Sequence, residues 1–385
     1  YIRTLCLYAK QKNVKIIVWT WASCVRENPE DWIKKMKDYG VSGAKIDFFE
    51  RNDQIAMRWG RDFAQRLANH QMVALFHGCP VPAGINRTFP NILNFEAVRG
   101  AECNFWEKTL TPEYHTQFPF IRSLVGPEDY TPGSMRNVTQ EEFQPIDKDD
   151  TPPMSMGTRA HELSMYVIYD QWIGYLCDSP TEYNKYPDIL SFLSTVPVVW
   201  DKTVPLDAKL GDYILVAKQK GKDWYVGGMT DWTARTLEVD FGFLEAGVSY
   251  LADIFKDTSA SGEQPKQYVC ERMEITKDTK LSIPMAKGGG FAIRLLHASG
   301  SGITEVKQEN PLIVYVEKET DTLHIKTEKR IEDVRINDIT GQTLFARKYN
   351  DDVYSERINL SDFNKGIYVV SVKTAPALAS TTFIY

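Results

Sequence analysis

Short apolar runs, rich in β-branched and aromatic residues, alternate with amphipathic stretches over residues 14–96. Such runs are typical of strands that are buried on both faces. Between them, helices are predicted at Asn28–Tyr39 and Asp53–Asn69, and Gly40 follows the first of these as a stop signal. Strands that alternate with helices in this way predict a parallel sheet. The predicted strands are Val14–Thr20, Gly43–Phe49, Met72–His77 and Ile92–Glu96.

Two architectures satisfy this order, a doubly wound sheet and a (β/α)8 TIM-type barrel. No Gly-rich phosphate loop follows any of the strands, which disfavours the dinucleotide-binding sheet. Asp47, His77 and Glu96 stand at the carboxyl ends of the strands, where a TIM barrel carries its chemistry. We therefore predict a (β/α)8 barrel over residues 1–203. A full barrel takes about 250 residues, so we expect it to be N-terminally incomplete, in a fragment or a processed chain that begins at Tyr1.

The rest of the chain is predicted to form β-structure without the alternating helices. Residues 204–297 predict an antiparallel β-domain, since short alternating runs occur at Val216–Ala217, Trp224–Gly227, Thr236–Phe241 and Gly290–Leu296. A flexible linker is predicted at 298–302 (ASGSG). Residues 304–385 predict an Ig-like β-sandwich because strand candidates recur at even spacing. These candidates are Leu312–Val316, Thr322–Thr327, Ile331–Ile339, Thr343–Lys348 and Gly366–Lys373.

Charge and composition narrow the classes of partner. With 45 basic and 51 acidic residues the net charge is −6, which argues against non-specific nucleic-acid binding. The apolar runs are shorter than the ~20 residues of a membrane helix, so no membrane span is predicted. The six cysteines form no CxxC pair, which excludes zinc-ribbon spacing. Trp19, Trp21 and Trp106 fit either of two roles, stacking on sugar rings or filling a core.

Asp47 is the strongest candidate for catalysis. It ends the buried run GAKIDFF, and a carboxylate there is costly unless it faces a cleft or a partner. We expect the nearby Lys45 to keep Asp47 ionised. An ionised carboxylate beneath a bound sugar can attack the anomeric carbon. The alternative is an ordinary strand-end residue that caps the next helix.

Weaker candidates follow along the chain. Glu96 and Glu102 straddle Arg99, a pattern that fits a general acid beside a metal ligand, or surface acids around an ion pair. His77 precedes a Pro-rich turn and fits either a ligand of a substrate hydroxyl or a core histidine. Asp178 fits either the border of the cleft or a helix N-cap.

Seven segments stand in order along the chain: VWTWAS (18–23), GAKIDFFERNDQ (43–54), FHGCPVPAGINRTFPN (76–91), NFEAVRGAE (94–102), DYTPGSM (129–135), TRAHELSMYVIYD (158–170) and DSPTEY (178–183). Together they resemble glycoside hydrolase family 97, and the resemblance covers roughly residues 1–297. Family members carry an N-terminal β-sandwich, a catalytic (β/α)8 barrel and a C-terminal β-domain. The resemblance therefore implies that the sandwich, with the calcium ligand it would contribute, and the start of the barrel are missing here.

The family contains inverting α-glucosidases and retaining α-galactosidases. Inverting members carry a glutamate base in the segment that reads FHGCP here, where this chain has Gly78. The resemblance implies that Asp47 is the nucleophile of a retaining enzyme and Glu102 its acid/base, and that Glu96 and Glu102 hold calcium. We assign Lys45, His77, Trp21 and Arg99 to substrate binding.

The sequence thus predicts a retaining exo-α-glycosidase, an α-galactosidase, that acts on an oligosaccharide or α-galactoside by double displacement. The alternatives are an inverting α-glucosidase of the same family and a non-catalytic glycan-binding protein. The last 80 or so residues contain the segments ITGQTLF (339–345), Leu360 and KGIYVV (365–370). These resemble the C-terminal sorting modules of Bacteroidetes secreted proteins, which implies a periplasmic, secreted or cell-surface location. A carbohydrate-binding or spacer sandwich is the alternative for this module.

Overall fold

The computed structural model describes residues 1–145, 154–298, 313–317, 320–327, 329–338, 342–364, 366–374 and 377–384. These fall into two compact units, Tyr1–Ala298 and Ser299–Tyr385. Most of the predicted linker, at 299–302, lies outside the described residues, as do positions 339–341 and 365 of the sorting-module segments.

The first unit opens with four parallel strands, each paired with the next in chain order. Each strand overlaps its predicted run, so the predicted parallel sheet is confirmed. Their apolar residues, such as Ile46 and Phe76, are buried in one core together with Phe63 and Leu67 of the long helix between the second and third strands. The strands are β1 (Ile17–Trp21), β2 (Gly43–Asp47), β3 (Val73–Phe76) and β4 (Ile92–Phe95).

The helices of this unit lie before, between and after these strands in the chain. Asp53 caps the longest helix by accepting hydrogen bonds from the amides of Ile55 and Ala56, so the cap is Asp53 and not Asp47. The helices are α1 (Ile2–Gln11), α2 (Ala22–Val25), α3 (Pro29–Asp38), α4 (Gln54–Asn69), α5 (Ile85–Thr88), α6 (Pro112–Ile121), α7 (Arg159–Ile168), α8 (Pro180–Tyr183) and α9 (Pro187–Leu193), with 3-10 turns at Ala101–Phe105 and Ser123–Val125.

The described residues form part of a barrel wall and do not close it. Beyond β4 the parallel pairing continues only as a single bridge between Phe95 and Glu128. A separate parallel pair joins β5 (Asn137–Val138) to β6 (Ser155–Met156). The α/β part of the prediction is therefore confirmed as a four-stranded parallel wall with one further bridge.

Eight antiparallel strands follow in the same compact unit. Six form one sheet in the order β12-β11-β14-β9-β8-β7, and β10 pairs with β13. The predicted runs correspond to β8, β9, β10 and β14, whereas the other four strands were not predicted. The strands are β7 (Lys202–Lys209), β8 (Tyr213–Lys220), β9 (Asp223–Thr230), β10 (Arg235–Asp240), β11 (Ser249–Lys256), β12 (Val269–Thr276), β13 (Lys280–Met285) and β14 (Gly290–His297).

Helix α7 packs directly on this sheet. Two sheet glycines permit the close approach: a Cβ on Gly290 would lie 2.8 Å from His161 Cα, and one on Gly227 would lie 3.0 Å from the Ser164 carbonyl oxygen. Almost every α7 side chain is buried, and the helix shares one core with the six-stranded sheet and with α6.

The second unit consists of two antiparallel sheets, β15-β16-β19 and β18-β17-β20-β21. One core joins them, with Ile325 and Ile358 from the first sheet and Val334 and Val370 from the second. This is a two-sheet β-sandwich, and its Ig-like topology stays a prediction. The strands are β15 (Ile313–Glu317), β16 (Thr322–Lys326), β17 (Ile331–Asp338), β18 (Thr343–Lys348), β19 (Ser355–Asn359), β20 (Ile367–Thr374) and β21 (Ala377–Ile384). No helix within the described ranges is both long and apolar enough to cross a membrane.

Candidate active site

Three of the predicted site residues meet at the carboxyl edge of the parallel strands. Asp47 is the last residue of β2, His77 follows β3, and Glu96 follows β4. His77 lies between the two acids, with Nδ1 3.4 Å from Asp47 Oδ2 and Nε2 3.4 Å from Glu96 Oε1. Neighbouring parallel strands end at the same edge, which explains why residues 47, 77 and 96 come together.

Asp47 is buried and held from three sides. The Trp19 indole N–H donates to its Oδ2 at 2.9 Å, and the Phe48 amide donates to its Oδ1 at 2.6 Å. Burial by itself would raise the pKa of Asp47, but the hydrogen bonds from His77, Trp19 and Phe48 outweigh it and hold that pKa below its usual range. Asp47 is therefore a desolvated carboxylate that stays ionised.

His77 joins the acids of the site. Burial lowers its pKa, but the hydrogen bond to Asp47 and the negative charges of Glu96 and Asp129 raise it, and the net pKa lies above the usual value even though Lys45 opposes them. The imidazole is also 3.8 Å from Asp129 Oδ2. A positively charged ring at this position stabilises the ionised form of Asp47.

Lys45 does not pair with Asp47 as expected. Its ammonium donates to Asp129 Oδ2 at 2.9 Å and lies 4.7 Å from the centre of the Tyr175 ring. Among ion pairs of described residues, none joins Lys45 to Asp47, and the positive charge beside Asp47 comes from His77 and not from Lys45 as expected. Sequence reasoning also missed Asp129, which follows the single residue, Glu128, that bridges to β4.

Glu96 and Glu102 approach His77 together. Glu96 Oε2 accepts a hydrogen bond from the Gly78 amide at 2.6 Å. Burial raises the pKa of Glu96, and this effect outweighs the attraction of His77. Glu102 stands on the exposed face of the 3-10 turn, and one ligand atom each of His77, Glu96 and Glu102 lie within 4.8 Å of one another.

The two glutamates fit part of a calcium shell. Calcium takes six to eight oxygen ligands at about 2.3–2.6 Å, so two of its ligands can be as far apart as these carboxylate oxygens are. The raised pKa of Glu96 reflects a buried negative charge with too little compensation, which a divalent cation would supply. His77 fits less well as a ligand, because calcium takes oxygen ligands.

Gly78 packs so closely against Asp47 that only glycine fits at this position. Its φ is +51°, and a Cβ there would lie 2.8 Å from Asp47 Oδ1 and 2.9 Å from the Phe48 amide nitrogen. Real Cβ atoms essentially never approach so closely. A side chain at position 78 is therefore incompatible with Asp47 in this position.

Aromatic rings surround the entrance to Asp47. Trp19, Trp21 and Phe48 are 51%, 45% and 47% exposed. The Trp21 and Phe48 ring centres are 5.2 Å apart. Exposed aromatic faces beside a buried carboxylate suit the apolar face of a sugar ring.

Arg99 and Asp178, two further candidates, form ion pairs outside the cluster of Asp47, His77 and Glu96. The Arg99 guanidinium donates to Glu107 at 2.8 Å and to Thr109 at 3.1 Å. Asp178 pairs with Arg136 and accepts from the Met135 amide, whereas the cap of α8 is the adjacent Ser179.

A paired set of acids at the carboxyl edge of parallel strands, with aromatic faces at its entrance, is the kind of site that glycoside hydrolases use. Residues 1–98 match the family model described as glycoside hydrolase 97, and residues 199–296 match the one described as glycosyl-hydrolase 97 C-terminal, oligomerisation. The chain belongs to glycoside hydrolase family 97. Residues 319–384 match a secretion system C-terminal sorting domain, which supports export.

Relatives extend the comparison. A retaining α-galactosidase of Bacteroides thetaiotaomicron is 40% identical over 296 residues, which are 76% of this chain and 44% of that protein. A Streptomyces bingchenggensis protein named "Probable retaining alpha-galactosidase" is 30% identical over 299 residues, which are 77% of this chain and 43% of that protein. The chain thus spans somewhat less than half the length of these relatives.

A solved structure agrees with the fold. A family 97 enzyme from Pseudoalteromonas sp. strain K8, in complex with panose, superposes with a TM-score of 0.70 at 27% identity. The match covers 78% of this chain and 49% of that one.

Proposed function

We propose that the protein carrying this chain is a retaining exo-α-galactosidase, with Asp47 as nucleophile and Glu102 as acid/base. The observation that carries the proposal is the pair of Asp47 and Gly78. Asp47 is buried and ionised, and the approach of Gly78 excludes a side chain at the position where inverting members of the family carry their base. The 40% identical retaining α-galactosidase supports the same assignment.

In the first step, Asp47 attacks the anomeric carbon, and the bond to the departing oxygen breaks as Glu102 gives that oxygen its proton. In the second step, water attacks the same carbon and gives a proton to Glu102, and the Asp47 carboxylate is released. A retaining pair needs carboxyl groups about 5–5.5 Å apart. Both acids have His77 as a neighbour, which places them in the same site.

The other site residues orient the sugar. Trp21 and Phe48 offer aromatic faces to the ring, while Lys45 and His77 offer polar groups to its hydroxyls. The substrate is an oligosaccharide or another α-galactoside, and the protein acts in the periplasm, at the cell surface or outside the cell.

We further propose that Glu96 and Glu102 contribute ligands to calcium, which would supply positive charge that holds the acid and the substrate hydroxyls in place. Adding calcium to chelator-treated protein should raise its melting temperature, because a ligand that binds only the folded state stabilises it. Glu96→Gln should reduce that increase. An equal increase in the wild type and the variant would contradict the assignment of Glu96.

Asp47→Ala tests the nucleophile, with an aryl α-galactoside as substrate and azide as an external nucleophile. We expect turnover to disappear in water and to return with azide as a β-galactosyl azide, since azide attacks from the face that Asp47 occupies. Asp53→Ala is the matched control, because it removes a carboxylate from the loop that follows β2 and leaves the site intact. Unchanged hydrolysis by Asp47→Ala would remove Asp47 from the mechanism.

A further inference from the structure

Asp129 lies between Glu128 and Tyr130 in the chain, and hydrogen bonds connect both of these neighbours to the six-stranded sheet. Asp129 itself receives the Lys45 ammonium and lies 3.8 Å from His77. Its neighbours, Glu128 and Tyr130, are both buried. A separate series of hydrogen bonds, called a route below, connects each neighbour to the sheet.

The first route is a line of hydrogen bonds from the β13–β14 turn to Tyr130. The Gly289 carbonyl can only accept, so His161 donates to it from Nδ1 at 3.0 Å. In the neutral ring His161 Nε2 then accepts from His115 Nδ1 at 3.0 Å, and His115 Nε2 accepts from the Tyr130 hydroxyl at 2.6 Å. Burial lowers the pKa of both histidines, which keeps both rings neutral as this order requires.

Tyr130 also contacts the turn that carries Glu102, the proposed acid. Its backbone carbonyl accepts from the Ala101 amide at 2.7 Å. Ala101 directly precedes Glu102 and begins the 3-10 turn that carries it. One buried tyrosine therefore holds Asp129 on one side and the start of the Glu102 turn on the other.

The second route starts at Lys218, a fully buried lysine on β8. Its ammonium donates to the Ile168 carbonyl at 3.1 Å and to Asp170 Oδ1 at 2.7 Å. The Asp170 amide donates to Glu128 Oε1 at 3.2 Å, and the Glu128 amide donates to the Asp170 carbonyl at 3.0 Å. This route fixes the residue on the other side of Asp129.

We propose that the six-stranded sheet positions the active site, with Tyr130 and Glu128 as positioning residues for Asp129 and the Glu102 turn. The proposal rests on the proposed function and gives the sheet a second role beside the oligomerisation named for residues 199–296. It identifies contacts within one chain by which the sheet acts on catalysis.

Tyr130→Phe tests the first route, because it removes one hydroxyl and keeps the ring. Tyr225→Phe is the matched control: it removes a buried hydroxyl of β9 that donates to the Thr195 carbonyl at 3.0 Å and takes part in neither route. We expect Tyr130→Phe to lower kcat about tenfold with KM changed less than twofold, since small displacements at a catalytic centre are costly. Tyr225→Phe should keep wild-type kcat.

Amide hydrogen exchange of both variants supplies a readout that does not depend on turnover. Tyr130→Phe should speed exchange at the Ala101 amide and over residues 126–133, and Tyr225→Phe should not. If the wild type hydrolyses nothing, the proposed function fails and the exchange result alone decides the positioning role. Wild-type kcat and exchange in Tyr130→Phe, or equal losses in both variants, would overturn the proposal.

Glu128→Leu tests the second route independently and replaces Tyr130→Phe if that variant does not fold. It keeps a side chain of similar size and removes the oxygen that accepts from the Asp170 amide, an acceptor that glutamine would retain. We expect kcat to fall severalfold and exchange over residues 126–133 to increase. Unchanged kcat together with unchanged exchange would contradict the role assigned to Glu128.

Discussion

Gly78→Ala should separate the nucleophile from its required position while leaving the fold intact. The new Cβ would stand 2.8 Å from Asp47 Oδ1 and 2.9 Å from the Phe48 amide nitrogen, so the carboxylate and its backbone support must move. Gly84→Ala is a matched control in the same loop, because its φ of +77° imposes similar backbone strain and its Cβ would meet nothing within 4 Å.

The magnitudes follow from these two environments. Placing a non-glycine residue in the left-handed region costs about 1–2 kcal/mol, so both variants should melt a few degrees below the wild type. A displacement of about 1 Å at a reacting group can cost roughly 100-fold in rate. We therefore expect kcat/KM to fall about 100-fold in Gly78→Ala and less than about threefold in Gly84→Ala.

The assay is hydrolysis of an aryl α-galactoside, with melting temperatures measured on the same preparations. Equal kcat/KM values for the two variants would refute the reasoning, because the contact with Asp47 would then have no catalytic effect. A folded Gly78→Ala variant with wild-type kcat/KM would refute it as well.

The remaining predictions concern single contacts. Trp19→Phe removes a donor to Asp47, so the pKa of that carboxyl should rise and the acid limb of kcat/KM should move up by about half to one pH unit; an unmoved limb would contradict this. Burial raises the pKa of Glu128 to about 8, so the folded state keeps a proton that the unfolded chain loses near pH 4.5. Stability should therefore fall between about pH 4.5 and 8, and thermal melts should show a flatter decline in Glu128→Gln; parallel profiles would count against it. Arg99→Ala breaks an exposed ion pair with Glu107, and if that pair is the main role of Arg99, kcat/KM should change less than about threefold; a tenfold rise in KM would support the predicted role of Arg99 in substrate binding.

Strands β2, β3 and β4 were predictable because most of their residues are buried and they read as short apolar runs. The prediction that the first strand is buried on both faces was wrong, because Trp19 and Trp21 of β1 are exposed beside the site. Strand β12 was missed because most of its residues are exposed at the edge of the sheet, so no apolar run marks it. Strand β11 was missed because Asp253 interrupts its apolar run. That carboxylate is buried in ion pairs with Arg272 and Arg294, partners that local sequence does not reveal.

The cluster of Asp47, His77 and Glu96 followed from strand order alone. The partner of Lys45 did not, because Asp129 lies 84 residues further along the chain and joins the wall through a single bridge. No periodic pattern marks such a position. The charge that keeps Asp47 ionised was expected from its sequence neighbour and comes instead from the next strand, through His77.

Proton NMR of an aryl α-galactoside, incubated with the protein and calcium, tests the central assignment most directly. The galactose anomer that forms first reports the stereochemistry before mutarotation mixes the two. Early α-galactose is the expected result, because attack by Asp47 followed by attack of water retains the configuration. Early β-galactose would mean inversion in one step and would contradict Asp47 as the nucleophile.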